Sequence, residues 1–440
     1  MKFNKWTLGL AAVGAVSMAS AVRADEAKLS QVQTALSNTT ISGYVSSSMN
    51  WEMTPSQGAI GNQTGNNESS PAGNIPFQAN KANGFNLDVV KLSISKAQDE
   101  SPWAAGYEAD LLFGPDAIGW TPTARSNGGS GTYGDGNMAI QQAYVALRTP
   151  VGNGIDWKVG VFNTVVGYES MDSINDPNYT RSWGWAVEPT EHTGVLGTYK
   201  VNDEWSFSAG VANTLTPTIN GRNDYNANVG NNVNNSVWDK TVMGSVTFTA
   251  PSNWGWASGS AFYAGMVYGF AGGQQADGGD QGGNQANYYA GATLNSPWKS
   301  VTFGAAFDFV QNVGGGSYYD LGNGVNHIND YIFGLYNTIK ATDKLSFNSR
   351  AEYWEVDLQG NPAPNSGGSS SGISLTETVE YDLWANVVSR LELRWDQCMT
   401  GEDGTYILPT GQVLNTNPGE GYSGDHRASV GLYANVAYKF

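Results

Sequence analysis

The sequence predicts an all-β chain that folds as a transmembrane antiparallel, up-and-down β-barrel of about sixteen strands. First, runs of roughly ten residues with alternating polarity recur along the chain, as in membrane-spanning β-strands. Second, the connections between these runs are long and short in turn. Third, all 16 prolines fall in connections or at their margins, where they remove no hydrogen bond from a sheet.

The start of the chain has the pattern of a secretory signal. Lys2 and Lys5 precede an apolar stretch over residues 8–21, and small residues flank Arg23 before an acidic pair. We expect residues 1–24 to be a cleaved signal peptide, because the apolar stretch is too short for a membrane anchor.

Residues 25–39 form a short periplasmic segment ahead of the barrel. Leu29, Val32 and Leu36 are at helical spacing, which predicts a short amphipathic helix. A disordered tether fits this segment equally well.

The predicted barrel occupies residues 40–440. Its strands leave eight long and seven short connections, which places both ends on the side of the short turns. Outer-membrane barrels have this topology, with short periplasmic turns and long extracellular loops. The predicted strands are 40–53, 84–96, 103–114, 138–149, 155–163, 192–201, 205–214, 240–250, 257–270, 287–296, 301–312, 330–341, 345–357, 373–384, 387–398 and 428–440.

Tryptophans support this orientation, since six of the seven short turns have one within a few residues. An indole ring is favourable at the level of the lipid headgroups, so these residues predict a periplasmic aromatic girdle. They are Trp103, Trp157, Trp205, Trp254 with Trp256, Trp298 and Trp384.

Individual strands distinguish a lipid face from a water face. In 387–398, Leu391 and Leu393 alternate with four charged residues that cannot lie in hydrocarbon. The charged side chains therefore line the pore or form structural ion pairs inside it. The predicted lining residues are Glu108, Asp110, Arg148, Lys158, Arg350, Glu352, Arg390, Glu392, Arg394 and Asp396.

The last strand ends on an aromatic residue. Tyr438 and Phe440, with Val436 and Leu432 in register, resemble the assembly signal that outer-membrane barrels present to their insertion machinery.

The composition excludes several functions. The net charge is −17, with 22 basic against 39 acidic residues, so clustered cations for nucleic acid are lacking. A single cysteine excludes an intramolecular disulfide, a zinc ribbon and a C-x-x-C-H haem site. We expect no cofactor and no metal. Cys398 fits either an inter-subunit disulfide or a small buried residue.

Several motifs resemble one known family. They are QQAYVALRTP at 141–150, VGVFN at 159–163 leading to GYE at 167–169, NDPNYTRS at 175–182 and LELRWD at 391–396. In their order and spacing they resemble the putative β-barrel porin family of the OmpL-like type, over most of residues 40–440. The resemblance implies an outer-membrane porin of a diderm bacterium, and it implies no substrate.

The third long connection, 164–191, is the candidate constriction. About sixteen strands enclose a lumen that water and small solutes can enter. If this connection folds inward, its acidic excess attracts cations, whereas an ordinary surface loop has no such effect. Its charged residues are Glu169, Asp172, Asp176, Arg181, Glu188 and Glu191.

We therefore expect passive, weakly cation-favouring diffusion of small hydrophilic solutes or ions and no enzyme activity. A surface adhesion or scaffold barrel with an occluded lumen is the alternative. A barrel hydrolase would have to use His192, His327 or His426, the last beside Asp425 and near Ser423 and Ser429. The expected partners are outer-membrane lipids, the barrel-assembly machinery and two further copies in a homotrimer.

Overall fold

Sixteen antiparallel strands form one closed barrel in the computed structural model. The structure describes residues 32–33, 39–53, 81, 83–120, 138–215, 219–220, 224–225, 234–235, 240–270, 284–313, 325–360, 369–401, 405–409, 413–415 and 428–440. The expected signal peptide, residues 1–24, lies outside these ranges.

The barrel strands are numbered in chain order. They are β1 Thr40–Glu52, β2 Gly84–Lys96, β3 Ala105–Phe113, β4 Met138–Thr149, β5 Ile155–Asn163, β6 Glu191–Lys200, β7 Trp205–Ala212, β8 Thr241–Thr249, β9 Ala261–Phe270, β10 Asn284–Asn295, β11 Val301–Val313, β12 Val325–Lys340, β13 Leu345–Gly360, β14 Ser370–Tyr381, β15 Val387–Thr400 and β16 Ala428–Lys439.

Each strand pairs with its neighbours in sequence, and β16 pairs with β1 to close the barrel. The closing register runs from Tyr44 opposite Lys439 to Glu52 opposite Gly431. Gly43 and Phe440 extend it by exchanging two backbone hydrogen bonds of 3.0 and 2.9 Å. The predicted fold class, an antiparallel up-and-down barrel of sixteen strands, is confirmed.

The predicted strand bounds differ from the observed ones mainly at the ends. The predicted start of β9 at residue 257 is wrong, because Ser252–Ala257 form a 3-10 helix and the strand begins at Ala261. Gly255, at φ 62°, provides the left-handed turn inside that helix. Conversely, β12 begins at Val325, five residues before its predicted start.

The two faces of the strands differ sharply in exposure. On β15 the outward side chains of Leu391 and Leu393 are 52% and 46% exposed, whereas the inward side chains of Glu392 and Arg394 are fully buried. β15 thus presents an apolar outer face, and its charged side chains lie inside the barrel.

Few other elements are present in the described residues. A short helix, α1 (Trp183–Val187), and two 3-10 helices, Pro115–Trp120 and Ser173–Asn175, lie in long connections. Two strand pairs, Asp224–Tyr225 with Asn234–Asn235 and Thr405–Ile407 with Val413–Asn415, lie outside the barrel sheet. None of the described helices is long and apolar enough to cross a membrane.

Val32–Gln33 differ from the expected amphipathic helix. These two residues are extended, and they pair antiparallel with Thr40 and Ile41 at the start of β1. The available edge of β1 explains why they form a strand there. Apart from them and Thr39, the expected helical segment lies outside the described residues.

Candidate functional site

The connection between β5 and β6, residues 164–190, lies inside the barrel and is called the luminal loop below. Its backbone reaches the inner wall of strands far away in sequence. The Tyr179 and Thr180 N–H groups donate to the Glu392 carboxylate at 2.5 and 2.9 Å, and the Trp183 N–H donates to Glu352 at 2.6 Å. Since Glu352 and Glu392 belong to β13 and β15, the loop crosses the lumen from β5.

Arg350, on the inner face of β13, binds the middle of the luminal loop. Its guanidinium donates to the Glu169 carboxylate at 2.8 Å and to the Thr180 carbonyl at 2.6 Å. It also forms an ion pair with its wall neighbour Glu352 at 2.9 Å. Arg350 is 1% exposed, so these charge-assisted bonds form away from water.

Two arginines of β15 bind further carbonyls of the luminal loop. Arg390 donates to the Ile174 carbonyl at 2.9 Å and to that of Asp176 at 2.5 Å. Arg394 donates to the Arg181 carbonyl at 2.6 Å and pairs with Asp396 at 2.8 Å. The inner wall therefore satisfies backbone groups that a folded loop would otherwise bury without partners.

Arg181, the one basic residue of the luminal loop, bonds back to the loop itself. It pairs with Asp176 and donates to the carbonyls of Ser170 and Met171. Its guanidinium lies 5.0 Å from the ring centre of Trp185. This contact fixes the turn between residues 170 and 181.

Lys91 and Lys81 each join two acidic residues, and Lys91 thereby attaches the luminal loop to β2 and β3. Lys91 binds Asp172 at 2.7 Å and Asp110 at 3.1 Å. Lys81 binds Asp116 at 2.6 Å and Asp88 at 3.4 Å. Burial favours the neutral form of Lys81, but Asp116 and Asp88 outweigh it and raise the pKa of Lys81 well above its usual value.

Aromatic side chains anchor both limbs of the luminal loop. Trp183 is fully buried, packs against Trp354 with ring centres 5.9 Å apart, and donates its indole N–H to Asp396 at 2.9 Å. Tyr168 stacks on Tyr336 at 4.1 Å between ring centres. The loop is thus held by packing as well as by charge.

Glu188 and Asp308 form an acid pair without a basic partner among the described residues. Both side chains are buried, and they are close enough for the charge on Asp308 to act on Glu188. Burial, followed by the negative charge of Asp308, raises the pKa of Glu188 well above its usual value. Gly167 and Gly184 leave room for the pair, since an added Cβ would meet Glu188 at 2.3 Å and Asp308 at 2.7 Å.

Two further acids have raised pKa values. Burial raises the pKa of Asp116 to about 6 even though Lys81 lowers it. Burial also raises the pKa of Asp176 to about 7, against the lowering effect of Arg181. Both carboxyls therefore titrate near neutrality.

Five of the six residues proposed for the constriction belong to this assembly. Glu169, Asp176, Arg181 and Glu188 are buried, and the Asp172 side chain is 24% exposed. Glu191 differs because it is the first residue of β6, and strand alternation places its side chain on the opposite face of the strand from that of His192. The His192 ring faces the luminal loop, where its Nε2 lies 3.1 Å from the Thr164 hydroxyl.

The predicted lining residues fall into two groups. Those of β13 and β15, with Asp110, are buried beneath the luminal loop or its neighbours. Glu108, Arg148 and Lys158, on β3 to β5, remain partly exposed. Lys158 lies 4.6 Å from the ring centre of Tyr144, whose hydroxyl donates to Glu108 at 3.2 Å, and Arg148 pairs with Asp156 at 2.6 Å.

Sequence reasoning missed Asp88 and Lys81. Asp88 is the extra residue of a bulge where the β1–β2 register shifts, and its side chain points into the barrel although the alternation of the strand does not predict this. Its carboxylate accepts hydrogen bonds from the hydroxyl groups of Ser46 and Ser48 at 2.8 and 2.7 Å. Lys81 precedes β2 in a connection. Neither a bulge nor a loop lysine produces a period-2 signal.

The expected hydrolase residues are only partly described. His192 is buried between Thr164 and the Thr214 carbonyl, while the His327 side chain and residues 423–426 lie outside the described part of the chain. In that part no group of three or more His, Cys, Asp or Glu is placed to hold a metal ion. Cys398 is 1% exposed and packs inside the barrel with Trp354 and Leu408.

Comparison with known proteins agrees with this architecture. The model of the family described as putative beta-barrel porin-2, OmpL-like, matches residues 38–420. No curated protein matches the chain.

Three solved structures illustrate the shared fold. The outer membrane channel DcaP of Acinetobacter baumannii has a TM-score of 0.54 at 13% identity, covering 94% of this chain and 100% of its own. An anion-selective porin from Comamonas acidovorans has a TM-score of 0.53 at 11% identity, covering 91% and 99%. The trimer form of OmpT, an outer membrane protein of Vibrio cholerae, has 0.52 at 12%, also covering 91% and 99%. At such identities the likeness concerns the fold alone.

Proposed function

Because the chain belongs to the putative beta-barrel porin-2, OmpL-like family, we propose that it is a passive, weakly cation-favouring diffusion channel of an outer membrane. Small hydrophilic solutes and ions pass between the luminal loop and the uncovered inner wall. The partly exposed charged side chains of β3 to β5 support a water-accessible path on that side of the lumen.

The observation that carries the cation preference is the charge balance around the luminal loop. Among the described residues, twelve carboxyl groups and seven basic groups lie around the luminal loop, so acidic groups are in excess. Such an excess at a narrow, low-dielectric passage attracts cations and repels anions. The acids are Asp88, Asp110, Asp116, Glu169, Asp172, Asp176, Glu188, Asp308, Glu352, Glu380, Glu392 and Asp396, and the bases are Lys81, Lys91, Arg181, Arg350, Arg390, Arg394 and Lys439.

The proposed setting follows from the same architecture. Residues 1–24 direct export, Tyr438 and Phe440 present the assembly signal, and the apolar outer surface contacts outer-membrane lipid. A homotrimer is proposed because a porin-like neighbour of this fold is described in a trimer form. Chemical crosslinking of the protein in detergent tests this assembly.

Ion selectivity tests the role of the luminal loop. Among the acidic residues of the luminal loop that form ion pairs, Asp172 is the most water-accessible, at 24% side-chain exposure. We expect Asp172→Asn to shift the reversal potential in a KCl gradient towards that of an unselective pore, because it removes one of the excess charges. Asp99→Asn, in an exposed short turn, is the matched control and should leave the potential unchanged.

A scaffold barrel is the second candidate, and the filled lumen favours it. The luminal loop bonds to β2, β13 and β15 and packs against β12, which is compatible with an occluded interior. A scaffold predicts a folded barrel that carries no current, so the same recording separates the two functions.

A further inference from the structure

Three polar side chains form a row across the outer face of the barrel. Glu377 on β14 is the sheet partner of Leu393, whose side chain points outward, so both side chains lie on the outer face. Ser349 on β13 is the partner of Glu377, and Asn337 on β12 is the partner of Ser349. The Ser349 hydroxyl donates to the Glu377 carboxylate at 2.7 Å. Asn337, Ser349 and Glu377 are called the outer polar row below.

The outer polar row lies at the depth of the lipid. Its neighbours along β14 on the same face, Val379 and Leu375, are apolar and exposed. Glu377 precedes Tyr381, the last residue of β14, by four positions. At about 3.3 Å per residue and a strand tilt of roughly 40°, Glu377 is about 10 Å from that end, within an apolar band about 25 Å tall. A carboxyl group that faces hydrocarbon there is strongly unfavourable.

The two ends of the outer polar row have complementary chemistry. Glu377 is exposed, and within the described ranges no basic residue pairs with it. Asn337 is partly exposed, and its side-chain oxygen has no hydrogen-bond donor. Rotation about the last side-chain bond of an asparagine is soft, so the amide can present either its oxygen or its NH2 group. The row therefore carries a carboxyl group at one end and an amide with unused hydrogen-bonding capacity at the other.

Resting on the homotrimer proposed above, we propose that the outer polar row is the surface through which copies of this chain contact one another in the membrane. Copies related by an axis along the membrane normal lie at the same depth. Around such an axis, one end of each row meets the opposite end of the next row. The Asn337 amide of one copy then hydrogen-bonds to the Glu377 carboxyl group of its neighbour.

A second copy fits this surface better than lipid does. Lipid tails offer no hydrogen-bond donor to Glu377, whereas every further copy supplies an amide at the same depth. Polar side chains that bond across a contact hold membrane proteins together, and small residues let the backbones approach. Ser349 in the middle of the row, and Ala351 beside it on the same face of β13, are small.

Chemical crosslinking of the full-length protein in the outer membrane, followed by extraction in mild detergent and gel analysis, tests this contact. The wild type should give crosslinked oligomers. Glu377→Leu suits the surrounding apolar face, so the barrel should fold while the oligomer fraction falls several-fold. Asn337→Glu places carboxyl groups at both ends of the row and should have the same effect.

Two further variants make the test specific. The double exchange Asn337→Glu with Glu377→Asn returns one carboxyl group and one amide to each contact, so it should restore the oligomer. Ser47→Leu is the control, because Ser47 faces outward on β1 opposite the exposed Val436. It should leave the oligomer fraction unchanged.

Three results would overturn the proposal. Undiminished oligomers in both single variants would place the contact on another face and leave the homotrimer intact. A monomeric wild type, with Glu377→Leu unfolding at higher temperature, would show that Glu377 faces lipid. Crosslinks to a different protein that disappear in Glu377→Leu would assign the row to that protein. If Glu377→Leu does not fold, Asn337→Glu and the double exchange decide. None of these measurements uses current through the pore, so the channel function stands or falls separately.

Discussion

Arg350 joins the barrel wall to the luminal loop through a carboxylate and a carbonyl, and it is buried on every side. Arg350→Ala would leave Glu169 and Glu352 buried with one cation fewer. Removing one partner of a buried pair costs about 3–5 kcal/mol, and we expect the free energy of unfolding in urea to fall by that order.

Arg148→Ala is the matched control for this prediction. Its pair with Asp156 is 16% and 43% exposed, so its loss should cost less than about 1 kcal/mol. Equal losses in the two variants would mean that the contacts of Arg350 do not stabilise the fold.

At the residue scale, alternation predicted most inward charges but not their partners. Glu392 and Arg394 follow the period of a strand, so their direction is readable from sequence. Their bonds to Tyr179 and Arg181 join residues about two hundred positions apart, and no local pattern encodes such a distance. The inward direction of Asp88 was not predicted from strand alternation, because this residue lies at a bulge.

At the scale of single elements, the conformation of the luminal loop requires glycine where its backbone lies close to other side chains. Gly167 has φ +110°, and an added Cβ would lie 2.3 Å from the Glu188 carboxylate. We expect Gly167→Ala to destabilise the protein by about 1–3 kcal/mol, because an L side chain is strained there and displaces Glu188. Heat-induced unfolding on gels measures this loss.

Gly244→Ala is the corresponding control on a barrel strand. Its added Cβ meets only the Ser208 carbonyl, at an ordinary 3.5 Å. If both variants lost the same stability, the strain at Gly167 would not be the cause.

The stability of the folded protein should also depend on pH. The pKa values of Asp116 and Asp176 are raised by burial from 3.8 to about 6 and about 7, so the folded protein holds protons more tightly than the unfolded chain. The resulting stabilisation is complete below about pH 4 and is lost as the pH rises through 6 and 7. Unfolding midpoints measured from pH 4 to 8 should therefore fall with pH.

Cation preference should change in the opposite direction over the same window. Deprotonation of Asp116 and Asp176 adds negative charge around the luminal loop, so the reversal potential in a KCl gradient should shift towards K⁺ as the pH rises from 5 to 8. A preference that is constant or weakens with pH would assign selectivity to other groups.

Strands were the most predictable elements, because their signal is local. The bounds of β2, β4 and β5 agree with the sequence prediction to the residue. The start of β9 was misplaced by four residues, because the 3-10 helix extends to Ala257 and residues 258–260 form a turn before the strand begins at Ala261. Helix α1 was not predicted, since five residues are too few for a helical period.

For the molecule as a whole, closure was predictable and the filling of the lumen was not. An even number of strands with sorted connections implies a closed barrel, since open edges are not tolerated in lipid. How far a loop enters the lumen depends on ion pairs and stacking across it, such as Lys91 with Asp172 and Tyr168 with Tyr336. These contacts hold the luminal loop across the interior of a wide barrel.

A planar-bilayer recording of the refolded protein in a KCl gradient tests the central claim most directly. We expect steady ohmic current steps with a reversal potential that favours K⁺, because the proposed channel has a water-filled path beside the acidic luminal loop. Absence of current from a correctly folded barrel would contradict the channel and support the scaffold. Open channels that favour Cl⁻ would contradict the proposed role of the acidic luminal loop.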